Sequence, residues 1–429
     1  MSESLNTKLH MLRALRDRNY CLFFAGQLVS SIGVWIQNLA MSWLVFSLTG
    51  SPWMLGFIAF LSQIPNFFLA PLAGVWVDRC AKRKVLLTTQ CLVLFQASIL
   101  TLLSLIGRLE IWHLLLLSFL LGCVNSFDVP ARHAITAELI EDKEVKANAI
   151  ALNSIAYNMA RLIGPSLGGL LIPLIGEGNC FSVNAAGYLF ATVALFYVKI
   201  QAVKPLDQPK SFWQGFKAGY QYTFGQLPLR LIIGLLAVFA FMGLPHAVLL
   251  PVYVVEKLHM DVRWLGFLLG ASGMGSLAGA LYLASRSSFQ GLEKMLAAAG
   301  IFIGGGLAAL AFVHNAYISL GIMFFVGLGL IFGIVGGSTL LQCMVDDGLR
   351  ARVMSFYTMT IMGISPIGSL LAGSLAAQIG IVASFLLCGV FCIAGTVYFL
   401  LHLSVFRVQA CPIYVHSGNL DSVEQCRYR

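Results

Sequence analysis

The sequence predicts an all-α integral membrane protein, with twelve transmembrane helices in two six-helix pseudo-repeat bundles. Three observations carry this: composition, the number of apolar runs, and the placement of the basic residues. Of 429 residues, 59% are hydrophobic and only 10% are charged, and the mean hydropathy is +0.85. Soluble chains carry roughly a quarter charged residues. This chain therefore has too little polar surface to face water all round, and lipid must cover the remainder.

A helix needs about twenty apolar residues to cross a hydrocarbon core of about 30 Å. By that measure the first half holds spans at residues 20–48, 54–77, 85–106, 111–125, 148–175 and 180–198. The second half holds them at 231–254, 264–284, 295–313, 317–343, 354–377 and 382–402. The polar, basic N-terminus has no cleavage pattern, and the first run is long enough to be a retained span.

With both termini placed in the cytoplasm, the cytoplasmic side collects 23 Lys and Arg residues. The opposite side holds only Arg108, Lys257 and Arg263, and Arg161 lies within a span. This positive-inside bias sets the orientation and points to a multi-pass protein of a bacterial inner membrane. The net charge of +9 reflects topology, because the cations sit in short loops between apolar runs, and no nucleic-acid partner is expected. The ten cysteines are scattered without a C-x-x-C pair and read as small packing residues, so neither a disulfide framework nor a metal site is expected.

The longest internal polar stretch, 201–228, divides the chain into an N-terminal bundle (1–200), a cytoplasmic linker (201–228), a C-terminal bundle (229–404) and a cytoplasmic tail (405–429). Residues 212–224 are aromatic and basic, consistent with either an amphipathic helix on the inner leaflet or a plain linker. The halves echo each other. Span five carries Gly-Pro-Ser-Leu-Gly-Gly (164–169), and span eleven carries Ser-Pro-Ile-Gly (365–368) followed by Gly373. Such repetition is how many secondary transporters are built, with the solute site near the midplane.

Four groups of residues stand out. After span two, Gly74, Asp78, Arg79, Lys82, Arg83 and Lys84 put an acid at a helix end followed by a cationic cluster, a pattern that can clamp neighbouring helix termini. Lys82 to Lys84 could equally be simple anchoring. Asp128 and Arg132, four residues apart, favour an ion pair on one helix face, unless Pro130 ends the helix between them. In span five, Ala156, Ala160, Gly164 and Gly168 repeat every fourth residue, with Gly169 alongside, a small-residue stripe that admits a close neighbour. Pro165 within it permits a bend.

Arg161 sits thirteen residues into span five, about 20 Å along the helix, and a cation at that depth reads as functional, the alternative being a structural arginine tied to backbone carbonyls or neighbouring amides. Asn153 and Tyr157 precede it on the same sector. Gln27, Ser31 and Asn38 in span one, and Gln63 and Asn66 in span two, are amide or hydroxyl groups suited to a wet cavity or to interhelical hydrogen bonds. The second half offers His246, Gln342 and Tyr357. These eleven residues are the candidate substrate pathway.

The loop G-x-x-x-D-R-x-x-K-R-K (74–84) resembles the signature loop of the major facilitator superfamily, with Ala81 in place of a second glycine. Gly164-Pro165-x-x-Gly168-Gly169 resembles its antiporter-type element, with Ala160 where a glycine is usual. Thr49-Gly50-Ser51-Pro52, Phe127-Asp128-Val-Pro130-Ala-Arg132, the 148–154 segment, Gly176-Glu177-Gly178 and Asn184-Ala185 are similar to the branch containing enterobactin-type siderophore exporters and drug:proton antiporters. The resemblance implies a non-enzymatic transporter that works by alternating access and exports a siderophore or drug-like solute in exchange for protons. It also implies that Asp78, Arg79, Asp128 and Arg132 form a cytoplasmic gate.

No cofactor beyond the proton gradient is expected, and the protein is expected to be a monomer. Ser118 stands where many proton-coupled members carry an arginine, four residues before Gly122, and Val34 stands where related exporters often have an acid or threonine. No acid lies deep in a span, which leaves Asp128 and His246 as the nearest titratable groups. A lysophospholipid transporter of the same fold is the alternative, and a non-transporting receptor a remote one. No H-E-x-x-H, G-x-S-x-G or nucleotide-binding loop is present.

Overall fold

The computed structural model describes residues 13–140, 142–198, 212–286, 291–345 and 347–416. The expectations for the first twelve residues, most of the linker and the tail beyond His416 lie outside the described residues. The chain divides into two compact units. One comprises Met1–Met54, Ile58–Leu206 and His259–Gly273, and the other Leu55–Phe57, Asp207–Leu258 and Met274–Arg429.

In the first unit, α1 (Arg18–Thr49), α2 (Pro52–Arg79), α3 (Lys82–Leu105) and α4 (Ile111–Glu138) precede a 55-residue helical run, Lys143–Tyr197. At 1.5 Å per residue such a run extends about 80 Å, far beyond one bilayer crossing. It is divided at Gly176, whose φ of 81° and ψ of 165° are non-helical, giving α5 before the break and α6 after it. Then come a linker helix α7 (Phe212–Gly225) and α8, the 31-residue run Leu227–Lys257, which contains two π-helical turns. Helices α9 (Val262–Ala284), α10 (Leu292–Leu310) and α11 (Ala316–Met344) follow. A second 55-residue run, Asp347–Leu401, breaks at Gly380 with φ 81° and ψ 166°, giving α12 and α13. Helix α14 (Leu403–His416) ends the described chain.

Among the described residues, ten helices are long and apolar enough to span a bilayer, and the two divided runs supply two crossings each. The two breaks fall at equivalent places in the halves and adopt nearly the same backbone geometry. That region is essentially restricted to glycine. Gly176→Ala is therefore expected to destabilise the protein by about 1–3 kcal/mol. Gly305→Ala, in a helix with no atom within 4 Å of the added Cβ, is expected to change little. Thermal unfolding of the two detergent-solubilised variants checks this.

The α1–α2 corner follows from three adjacent residues. Gly50 caps α1 in the left-handed region (φ 58°), with its N–H on the Phe46 carbonyl. The Ser51 hydroxyl accepts from the Met54 N–H, and Pro52 opens α2, each the residue type its position favours. At the end of the bundle near the 74–84 loop, Phe23, Val77, Leu86, Ala131, Ile135, Leu195 and Val198 form a buried cluster that joins α1, α2, α3, α4 and α6. Beside it Tyr20, Ile140, Ala149 and Leu152 form a second cluster.

Two alternatives left open by the sequence are decided by the helices themselves. Pro130 does not end α4, which runs on to Glu138. Residues 212–225 are helical, and the α7 rings Tyr220 and Phe224 lie 6.2 and 5.9 Å from Phe356 of α12.

Candidate functional site

The charge pair of α4 is the centre of a buried network. Continuation of the helix through Pro130 sets Asp128 and Arg132 one turn apart on one face. Arg132 Nε donates to Asp128 Oδ2 at 3.1 Å, and a second guanidinium nitrogen donates to the same oxygen. The other carboxylate oxygen accepts from the Thr89 hydroxyl of α3 at 2.7 Å. Arg132 also donates to Gln27 Oε1 of α1 and hydrogen-bonds to Tyr188 of α6. Asp128 is 3% exposed, so one carboxylate binds four helices of the first unit together through its arginine and a threonine. Buried charge is tolerated because both partners are paired and hydrogen-bonded.

The 82–84 cations divide into separate roles. Lys82 pairs with Glu138 at the end of α4, and Arg83 donates to the carbonyls of Leu195 and Phe196 at the end of α6. Gly74 has no atom within 4 Å of an added Cβ, so no close approach requires glycine there in this conformation. Arg79 is exposed, and the Asp78 side chain lies outside the described residues.

Gln27 and Asn153, expected in a substrate pathway, are held elsewhere. Gln27 is buried on Arg132. The Asn153 side chain accepts from the Tyr20 hydroxyl at 3.2 Å and donates to Thr136 at 3.3 Å, joining α5 to α1 and α4. The reason is depth, since both lie within two or three turns of the charged ends of their helices, where the polar network gathers.

Deeper in the unit the picture differs. Trp35 of α1 meets Tyr157 of α5 edge-on, with centroids 6.1 Å apart. Tyr157 is 55% exposed, and Arg161 follows one turn later on the same face. Ser31 and Asn38 lie one turn to either side of Trp35 on α1. Trp35, Tyr157 and Arg161 thus adjoin on neighbouring helices, with Ser31 and Asn38 on the Trp35 side of α1. Gln63, exposed, and Asn66, half-buried, are on α2.

In the second unit His246 is buried, with Nδ1 2.8 Å from the Gly243 carbonyl. Tyr357 donates to the Ile334 carbonyl at 3.0 Å, and Gln342 is exposed. His246 and Tyr357 are thus engaged with backbone carbonyls of the helical unit rather than presented as open groups.

The small-residue stripe of α5 packs on two neighbours. A Cβ on Gly164 would overlap that of Trp35, and one on Gly168 would sit 3.4 Å from Ile36 Cα. A Cβ on Gly169 would lie 3.0 Å from Gly266 Cα of α9. The α9 face Gly266, Gly270, Gly273 meets Pro165, Ser166 and Leu162 in the same close manner. This partner stripe was open to sequence reasoning as G-x-x-x-G-x-x-G but carried no signature. A second feature legible only in part is the amide string Gln37, Gln96, Asn184. Asn184 Nδ2 donates to Gln37 Oε1 at 2.7 Å, and Gln37 Nε2 lies 3.5 Å from Gln96 Oε1. No sequence spacing links three helices in that way.

Among the described residues, two helical units of apolar spans and a buried charge network at one end have the architecture of a membrane transporter of the major facilitator type. Residues 10–414 match the family model described as transmembrane secretion effector, and the chain belongs to that family. It is 24% identical over 377 residues to the multidrug efflux pump Tap of Mycolicibacterium fortuitum, covering 85% of this chain and 91% of that protein. It is also 24% identical over 381 residues to the staphyloferrin A transporter of Staphylococcus aureus (strain NCTC 8325 / PS 47), covering 88% and 95%. Among solved structures, the nucleoside transporter NupG superposes with a TM-score of 0.69 at 13% identity, covering 90% of this chain and 98% of that one, a likeness of fold alone. The protein is accordingly a multi-pass membrane transporter of a small molecule and not an enzyme.

Proposed function

We propose that this transporter exports a small amphipathic solute, of siderophore or drug-like chemistry, across the bacterial plasma membrane in exchange for protons. The observation that carries the reading is the patch around Arg161. A half-buried guanidinium about 20 Å along its helix lies next to Tyr157, whose ring packs on Trp35. A cation there is costly unless it is used, and a cation beside aromatic side chains suits a solute with one anionic or hydrogen-bond-accepting group on an apolar body. Efflux is supported by the similarity to Tap along nearly the whole chain.

With the basic loops in the cytoplasm, the Asp128–Arg132 network and the Lys82–Glu138 pair lie at the cytoplasmic end. Transport proceeds by alternating access, and the solute drives the change only through its preference for one state. The Asp128 network closes the inner gate when the site faces outward. Asp128 is the acid nearest the pathway and the candidate for proton coupling. The unit of function is a monomer with both termini cytoplasmic.

Substrate accumulation in cells lacking their main effluxers tests this, with a panel of catecholate and carboxylate siderophores and lipophilic drugs. Wild-type protein is expected to lower accumulation of one class. Arg161→Ala at equal membrane abundance, or a protonophore, is expected to abolish most of that effect. Unchanged accumulation across the panel would reject export of these classes.

A further inference from the structure

Within the first unit, α2, α3 and α4 enclose a groove of about 870 Å³ that forms no part of the Arg161 patch. Its size falls in the range of small-ligand sites. The walls are apolar and open to the surroundings, with Leu72 68% exposed, Trp76 51% and Leu92 46%. Trp76 stands edge-on to Phe127 across the groove, with centroids 5.6 Å apart. The groove runs beside α3 from Lys84 to Leu92, eight residues or about 12 Å. It is therefore parallel to the spans and nearly as long as one leaflet of a hydrocarbon core about 30 Å thick.

One end is cationic and the rest is not. Lys84 lines the groove at the first turn of α3 and is exposed. Its neighbours are committed, Lys82 to Glu138 and Arg83 to two carbonyls. Among the described residues Lys84 forms no ion pair.

We propose that this groove is a binding site for one anionic phospholipid, an acyl chain lying along Leu72, Trp76 and Leu92 and the headgroup phosphate meeting Lys84. Basic pockets between transmembrane helices select anionic headgroups, each cation contributing about 1 kcal/mol near the surface, which corresponds to about five-fold in affinity. The groove is also lined by Thr89, whose hydroxyl donates to Asp128, so the bound lipid lies against the charge network itself.

Native mass spectrometry of the purified full-length protein, titrated with phosphatidylglycerol or phosphatidylcholine in detergent, tests the site. Wild-type protein is expected to retain phosphatidylglycerol about five-fold better than phosphatidylcholine, and Lys84→Gln to bring the two near parity. Arg79→Gln, an exposed cation outside the groove, is expected to keep the preference. Trp76→Ala is expected to weaken both lipids alike. Equal loss in Lys84→Gln and Arg79→Gln, or no preference in the wild type, would overturn the proposal. Rhodamine 6G displacing the lipid, unaffected by Lys84→Gln, would assign the groove to a transported solute and overturn it as well.

Discussion

Asp128→Ala is expected to abolish transport and to lower stability by about 3–5 kcal/mol, the usual result of leaving one member of a buried ion pair uncompensated. The carboxylate is 3% exposed and accepts from Arg132 and Thr89, so its removal leaves a guanidinium and a hydroxyl in a site that water barely reaches. Asp128→Asn keeps an oxygen for Thr89 and should lose less. The double variant Asp128→Ala/Arg132→Leu removes both charges. Since apolar replacement of a complete pair is often neutral, it is expected to recover most of the unfolding midpoint without recovering transport. Thermal unfolding in detergent and transport rates in proteoliposomes separate the two effects. A single variant with the wild-type midpoint would mean that the pair does not hold the four helices together.

Gly164→Val should have the next largest effect. A Cβ at this position would overlap the Cβ of Trp35 and lie 3.1 Å from the Ile32 carbonyl oxygen. Neither is the tip of a flexible side chain that could turn away. Overpacking costs about 1–3 kcal/mol, and the upper end applies because the helix axes themselves must separate. Trp35 would be driven from Tyr157, so transport is expected to fall by roughly ten-fold or more even in the folded fraction, the penalty of misplacing a binding group. Gly74→Ala is the contrasting case, since open space surrounds its Cβ, and its midpoint is expected to stay within about 0.5 kcal/mol of wild type. Equal destabilisation by the two substitutions would show that the α1–α5 contact is looser than described.

Several local features were legible because one residue type suffices to produce them. Gly50, Ser51 and Pro52 each satisfy a helix-terminus requirement that acts within a single turn, and the corner between α1 and α2 lies where they stand. The stripe on α5 was readable for the same reason, as a four-residue period on one face. Pro130 was less readable. A proline in a helix removes one hydrogen bond, and whether the helix ends or continues depends on neighbours that can compensate, here the packing around Ala131 and Ile135.

The candidate site was legible in membership and not in grouping. Arg161 and Tyr157 were evident from helical spacing, but Trp35 joins them only because Gly164 lets α1 approach. Gln27 and Asn153 have the composition of pathway residues and serve instead as partners of Arg132 and of Tyr20 with Thr136. An amide hydrogen-bonds whatever group lies across from it, and a linear pattern does not say which helix that is. Thr89, Glu138 and Tyr188 carry no signal in the sequence because each is ordinary alone and acquires its role from a residue far away in the chain, as Thr89 does from Asp128.

The sequence by itself determined the membrane class, the twelve crossings and the two-fold internal repetition, because burial of apolar surface in lipid and backbone hydrogen bonding act on each segment separately. Only the tertiary structure decided which polar groups meet, which glycines are crowded and where the groove between α2, α3 and α4 lies. Those depend on distances between helices, set by all the side chains at each contact together.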